Sequence, residues 1–221
     1  MRTWSEHIFR SLYCLLSLLA PMAHAQQSSS KHEAPAKAEK TAYDYNFPGA
    51  DGNNIPVANF KEKYILVVNL ARNSSYNVQL PALIKLSETY KDKGLVVIGV
   101  PSNDFGAAEP GDEAAIQKAY TDAKVSFPVT AVSKLTGDQE IPLYLYLTKS
   151  KGAPAGGEVH WNYTKFFVDR NGKVVARLDP DVAPDSPEML ATVDSLLAGT
   201  YKAKKAGRPK SDGTAEADDD E

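Results

Sequence analysis

The segment YILVVNLARNSSYNVQLPALIKLSETYKDKGLVVIGV, Tyr64 to Val100, decides the fold. Its first part, Tyr64 to Leu70, is a continuous apolar run that predicts a strand covered on both faces. Lys93-Gly94 is suited to ending a helix, and Leu95 to Val100 predicts a second buried strand. Between the strands, apolar residues recur at helical spacing at Leu80, Leu83, Ile84, Leu86 and Tyr90. A strand, a helix and a strand in this order predict a right-handed crossover and a parallel strand pair.

Further elements follow the second strand. Helices are predicted from about Asp112 to Ala123, from Leu143 to Leu147, and from about Pro187 to Leu197, the last with Met189, Leu190, Val193, Leu196 and Leu197 on one face. KFFVDRNGKVVARL, Lys165 to Leu178, predicts a hairpin with a type I′ turn at Asn171-Gly172. The sum is an α/β protein, a three-layer α/β/α sandwich around a central mixed sheet of four or five strands.

The two ends of the chain differ from this unit. Residues 1–25 combine Arg2 and Arg10, a short apolar run and Ala23-His24-Ala25, which is typical of a secretory signal peptide. The polar residues 26–42 predict a disordered tether, and residues 201–221 a disordered charged tail. The folded domain is therefore predicted to span residues 43–200. The protein is expected to be exported, periplasmic or extracellular, without a stable membrane anchor, because the apolar run is too short to span a bilayer.

Composition excludes several kinds of chemistry. The 221 residues carry 25 Lys and Arg against 28 Asp and Glu, so no strong charge favours nucleic acid. Cys14 is the only cysteine and lies in the predicted signal peptide, so the exported chain would lack disulfides, thiolates and cysteine metal ligands. Of the histidines, only His32 and His160 would remain after cleavage. No metal site, no glycine-rich phosphate loop and no cofactor are predicted.

The polar turn from Arg72 to Tyr76, between a strand and a helix, is where α/β proteins often place a reactive side chain or bind an anion. Ser74 could act as a hydrolase nucleophile, but the Gly-x-Ser-x-Gly pattern is absent and the only candidate base is His160. Ser74 or Ser75 could instead cap the following helix, a position that serine favours.

Three blocks of the sequence resemble the glutathione peroxidase family: Asn69 to Gly111, then the short FPV and PLY runs, then HWNYTKFFVDRNGKVVARLDPDVAP from His160. They fall in the order and spacing of the family and cover nearly all of residues 43–197. The resemblance implies a thioredoxin-like fold. It also implies reduction of hydrogen peroxide or organic hydroperoxides by a thiol in the oxidative-stress response, with glutathione or thioredoxin as partner if the protein is active.

The resemblance also assigns the catalytic positions. The family's cysteine or selenocysteine corresponds to Ser74, and its supporting glutamine to Ala108, whereas its tryptophan and asparagine are retained as Trp161 and Asn162. The resolving cysteines of thioredoxin-dependent members correspond to Ser102 and Tyr120, the latter in the helix from Asp112.

A serine cannot replace the sulfur in this cycle. A thiolate is anionic near neutral pH, and its sulfur is oxidised to a sulfenic acid and reduced again by thiol exchange. A serine hydroxyl stays protonated and has no corresponding oxidised form. The sequence therefore predicts an inactive member that serves as a binding or structural module for an unidentified protein, or for a thiol or anion ligand. The alternative is an active peroxidase. Trp161 and Asn162 could be retained for structure, as a core aromatic and a turn residue.

Overall fold

The computed structural model describes residues 39–149 and 157–202. The predicted signal peptide, most of the predicted tether and nearly all of the predicted charged tail lie outside these ranges. No helix within the described ranges is long and apolar enough to cross a membrane.

A four-stranded mixed sheet forms the centre of the domain. Its strands are β3 (Tyr64–Leu70), β4 (Leu95–Pro101), β5 (Lys165–Val168) and β6 (Val174–Leu178), in the order β4-β3-β5-β6. β3 pairs with β4 in parallel, as the sequence predicted, and with β5 in antiparallel orientation. Because β3 is central and covered on both faces, Ile65 to Leu70 are all buried.

Helices cover both faces of the sheet, so the predicted three-layer α/β/α architecture is confirmed. The helices are α1 (Leu80–Tyr90), α2 (Glu113–Asp122), α3 (Pro142–Lys149) and α4 (Pro187–Leu197). α1, α2 and α4 contribute to one apolar core together with Leu66 and Val68 of β3. α3 contributes to the other core with Ile65 and Val67, as expected when successive residues of a strand face opposite sides.

Two short strands, β1 (Asn46–Pro48) and β2 (Asn54–Pro56), form a separate antiparallel pair ahead of the main sheet. They follow a 3₁₀ helix at Ala42–Asp44 whose N-cap is Thr41, and Ala42 is fully buried in the core that contains α3. Thr41 and Ala42 therefore belong to the folded domain, and the predicted tether, residues 26–42, extends slightly too far along the chain. At the other end, Tyr201 packs against the opposite core, so the predicted tail begins slightly too early.

The β5–β6 hairpin forms, but its predicted type I′ turn is wrong. Type I′ needs a positive φ at both central residues, and of Asn171 and Gly172 only Gly172 has one, at 77°. Asp169 and Lys173 pair through a 2.8 Å backbone hydrogen bond around a three-residue loop. The Asp169 carboxylate accepts the N–H groups of Asn171 and Lys173, which stabilises the longer loop.

The ends of α1 and α4 follow the sequence closely. α1 continues into a 3₁₀ turn that ends at Gly94, which is left-handed with a φ of 103°, as a helix-ending glycine should be. α4 begins where Ser186 caps the Met189 N–H at 3.2 Å. Leu190 was predicted on the buried face of α4 but is 36% exposed, because its side chain lines a surface groove next to α1.

Candidate functional site

Ser74 lies in the turn between β3 and α1, at the carboxyl end of β3. Its hydroxyl accepts the N–H of Tyr76 at 3.2 Å and so caps the 3₁₀ helix Ser75–Gln79 that leads into α1. The prediction that one of the two serines acts as a helix cap is confirmed. With its oxygen in this bond, Ser74 is held by the local backbone.

An open depression lies around Ser74 and has a volume of about 610 Å³. We call it the Ser74 depression. Val78, at its edge, is 83% exposed. The residues that line the depression are Arg72, Asn73, Ser74, Ser75, Asn77, Val78, Leu80 and Pro81. Val78 and Pro81 also line a groove of about 730 Å³ between α1 and α4, so the two concave surfaces adjoin at these residues.

Ala108 lies against the Ser74 turn through its backbone. Its carbonyl accepts the Asn73 N–H at 2.8 Å, and its side chain is largely buried. The preceding residues Gly106 and Ala107 both have positive φ, at 69° and 48°. A methyl group at position 108 offers no hydrogen bond to the site, unlike the amide of the glutamine that the resemblance predicts at this position.

Trp161 and Asn162 lie at the other side of the same loop. The Trp161 ring packs against Gly106 and, at 6.4 Å between ring centres, against Phe105. Trp161 is 44% exposed, so its interpretation as a core aromatic is wrong. Asn162 is fully buried and donates through Nδ2 to the Phe105 carbonyl at 2.9 Å. Its Oδ1 accepts no hydrogen bond from the residues that the structure describes.

The loop from Ser102 to Gly111 thus joins the four predicted positions. It contacts the Ser74 turn at Ala108 and contacts Trp161 and Asn162 at Phe105 and Gly106. Within the described ranges, no hydrogen bond links the Ser74 side chain to Trp161 or Asn162. His160 is exposed and is likewise not bonded to Ser74 there, so no hydrolase dyad is formed.

Glu109 was not predicted as a site residue, but it organises this region. Its side chain is fully buried and accepts the Arg72 N–H at 2.7 Å, the Arg72 guanidinium, and the Tyr120 hydroxyl at 2.7 Å. The Arg72 guanidinium also donates to the Pro110 carbonyl. The sequence carries no local signal for this cluster, because Arg72 and Glu109 are 37 positions apart.

Tyr120 occupies the position that the resemblance assigned to a resolving cysteine. It is 2% exposed, and burial together with the Glu109 carboxylate raises the pKa of its phenol. The other such position, Ser102, is also fully buried. The two positions are therefore part of the packed interior.

Lys165 is a second buried group that the sequence did not single out. It is fully buried and donates through Nζ to the carbonyls of Tyr163 at 2.9 Å and Pro180 at 3.4 Å. The Pro180 carbonyl also accepts the Gln79 side chain at 2.6 Å. Burial lowers the pKa of Lys165 to about 8. No cluster of metal-binding side chains occurs among the described residues.

Comparison with known proteins decides the family. Residues 42–148 match the family model for glutathione peroxidase. The chain is 42% identical over 151 residues to a probable phospholipid hydroperoxide glutathione peroxidase from Mesembryanthemum crystallinum, a match covering 67% of this chain and 89% of that one. The chain belongs to the glutathione peroxidase family.

Solved structures agree with this membership. Trgpx in its apo form has a TM-score of 0.58 and 27% identity, covering 73% of this chain and 97% of that chain. A putative thioredoxin from Neisseria meningitidis has a TM-score of 0.52 at 14% identity, covering 73% of this chain and 93% of that one, which concerns the fold alone. The fold is thioredoxin-like, and the glutathione peroxidase family consists of oxidoreductases. The assignment of individual catalytic positions stays a prediction.

Proposed function

We propose that this member of the glutathione peroxidase family is exported and catalytically inactive, and that it acts as a binding or structural module. The observation that carries the proposal is the serine at position 74, in a chain whose only cysteine is Cys14. Neighbouring acid-base groups typically accelerate a reaction by about 10²–10⁴-fold, but they cannot supply an atom that is oxidised and reduced. Trp161 and Asn162 therefore do not restore turnover.

The geometry around Ser74 supports a binding role. The Ser74 depression and the adjoining groove share Val78 and Pro81, and Val78 is 83% exposed. An exposed apolar side chain at the edge of a concave surface is a feature of protein interaction sites. We infer that a protein partner contacts this surface.

Peroxidase activity is the alternative function. Its support is the family itself and the two retained positions, Trp161 and Asn162, which still contact the Phe105–Gly106 segment. A peroxidase without a cysteine in the exported chain would need another redox group in place of the thiol, and no cysteine occurs at the Ser74 turn. For this reason the binding module is the better-supported function.

The deciding experiment measures peroxide consumption with glutathione and with thioredoxin as reductants. We expect background rates for the wild-type protein. Turnover of hydrogen peroxide at rates ordinary for the family would show that the proposal is wrong. Ser74→Cys tests whether the loss is local, because it places a thiol at the start of the helix. Ser75→Cys is the matched control, with a thiol one residue further along.

A double variant, Ser74→Cys with Ala108→Gln, separates two explanations of the lost peroxidase activity. If Ser74→Cys gains activity and Ser75→Cys does not, the rest of the site still supports catalysis. If Ser74→Cys is inactive and Ser74→Cys with Ala108→Gln is active, the missing amide matters as well. Export is tested separately, by locating the protein in cell fractions. Retention of full-length protein in the cytoplasm would contradict that part of the proposal.

A further inference from the structure

Among the residues that the structure describes, Arg72 alone contributes a basic side chain to the lining of the Ser74 depression, and its charge is already paired. Nε of Arg72 donates to Oε1 of Glu109, and Nη2 donates to the Pro110 carbonyl. The Glu109 side chain is fully buried, whereas Arg72 keeps about a quarter of its side chain exposed. A carboxylate in contact with a guanidinium cancels most of its field at a distance. The guanidinium of Arg72 therefore lies at the depression with its charge neutralised by the buried Glu109 carboxylate.

Five backbone donors of the turn are also used. The N–H of Arg72 donates to Glu109, that of Asn73 to the Ala108 carbonyl, and that of Ser74 to the Ala71 carbonyl. The N–H groups of Tyr76 and Asn77 donate to the side chain and carbonyl of Ser74, at 3.2 and 2.9 Å. The start of a helix usually attracts anions because its N–H groups point at the ligand. Here the five named groups are satisfied within the protein.

We propose that Glu109 is a specificity-determining residue of the Ser74 depression, which it keeps closed to anions by pairing with Arg72. This inference rests on the proposed binding function. It specifies the ligand as an uncharged, apolar side chain of the protein partner. An apolar side chain suits the remaining lining, which is aliphatic at Val78, Leu80 and Pro81 and otherwise uncharged.

The experiment titrates the full-length protein with inorganic phosphate at constant ionic strength, set with chloride so that general screening does not change. Binding is followed through the backbone amide NMR signals of residues 72–77. Wild-type protein is expected to show no saturable shift. Glu109→Gln keeps the size of the side chain and removes its charge. It should produce saturable shifts with an apparent Kd at least tenfold below the highest phosphate concentration at which wild type shows none.

Two controls test whether phosphate binding depends on the Arg72–Glu109 pair or only on the net charge of the protein. Glu88→Gln removes an exposed carboxylate from α1 and should behave like wild type. Adding Arg72→Gln to Glu109→Gln should abolish the new binding, because the freed guanidinium is its cause. Folded Glu109→Gln that binds phosphate no better than wild type would overturn the inference.

The wild-type titration still tests the inference if Glu109→Gln does not fold. Saturable shifts of residues 72–77 in the wild-type protein contradict the inference, and their absence supports it. The titration needs neither the native partner nor a peroxide assay. Peroxidase activity in the wild type would therefore disprove the proposed function without affecting this result.

Discussion

The hydroxyl of Tyr163 donates a hydrogen bond of 2.7 Å to Oδ1 of Asn77, 86 positions away in the sequence. This bond ties the turn that carries Trp161 and Asn162 to the helical segment that follows Ser74. Tyr163 is fully buried with a φ of 68°, a left-handed conformation that is uncommon for residues other than glycine. Its N–H also donates to the Asn69 carbonyl at 2.8 Å. The Ser74 turn and the turn with Trp161 and Asn162 are therefore held together by a hydrogen bond between side chains.

Tyr163→Phe should lower the free energy of unfolding by about 0.5–1.5 kcal/mol, the typical contribution of one neutral hydrogen bond. The ring stays in place, so packing is preserved and the loss reports the bond to Asn77. Urea denaturation followed by circular dichroism measures it. Once Tyr163→Phe has removed the bond, Asn77→Ala should lower the unfolding free energy by less than it does in the wild-type protein. If the effects of the two changes simply add, Tyr163 and Asn77 are not coupled and the prediction is contradicted.

Tyr120→Phe should cost more, about 1.5–3 kcal/mol, because the acceptor is the buried carboxylate of Glu109. The same denaturation measurement applies. Stability equal to that of wild type would show that the 2.7 Å contact with Glu109 does not stabilise the fold.

Tyr144→Phe should leave stability unchanged or raise it by about 1 kcal/mol. Tyr144 is fully buried, and its hydroxyl has no hydrogen-bond partner among the described residues. Removing such a group relieves its desolvation cost and loses no bond. This variant also serves as the matched control for the two other tyrosine changes. A loss as large as that of Tyr120→Phe would reveal a partner for the hydroxyl.

Stability should rise with pH between about pH 8 and about pH 10 because of Lys165. Its pKa is lowered to about 8 in the folded protein from an ordinary value of 10.5. In this window the unfolded chain therefore binds a proton that the folded protein does not, which favours folding as pH increases. The full effect is on the order of 3 kcal/mol. Below about pH 8 both states are protonated, so the cost of the buried charge stays constant.

Lys165→Met isolates this effect. We expect a flatter dependence of unfolding free energy on pH in the variant than in the wild type, measured by urea denaturation at several pH values. Burial raises the pKa of the phenols of Tyr120, Tyr144 and Tyr163, so those groups lower stability only as pH passes about 10, and they do so in both proteins. Identical pH profiles would show that Lys165 does not titrate in this range.

Ser74→Ala should destabilise the protein by about 0.5–2 kcal/mol, since it removes the oxygen that caps the Tyr76 N–H. Peroxide turnover should stay at background. The matched variant is Ser75→Ala, which lies inside the 3₁₀ helix and is expected to have a smaller effect. Equal effects of the two changes would contradict the capping role of Ser74.

Local patterns predicted the regular elements well. The apolar run from Tyr64 and the spacing of Leu83 and Leu86 depend on burial, which periodicity reports directly. The hairpin turn was predicted as the wrong type because Asp169 contributes two side-chain hydrogen bonds that favour a three-residue loop. Asn171-Gly172 alone does not contain that information.

For the candidate site, the sequence placed Ser74 at the turn and indicated its capping role. It did not indicate that Trp161 is exposed, because a tryptophan has the same local signature on a surface as in a core. Nor did it indicate the role of Glu109, whose partners Arg72 and Tyr120 come from two other elements.

By itself the sequence determined the order along the chain of the four main-sheet strands and the four α-helices, the parallel β3–β4 pair and the absence of cysteine after residue 14. These follow from hydrophobic period, turn residues and composition, which are local properties of the chain. The sequence did not predict the short strands β1 and β2. Only the tertiary structure decided that Glu109 neutralises Arg72 beneath the Ser74 depression and that Tyr163 bonds to Asn77. Charge pairing and buried hydrogen bonds depend on distances between residues far apart in sequence, and only the folded chain fixes those distances.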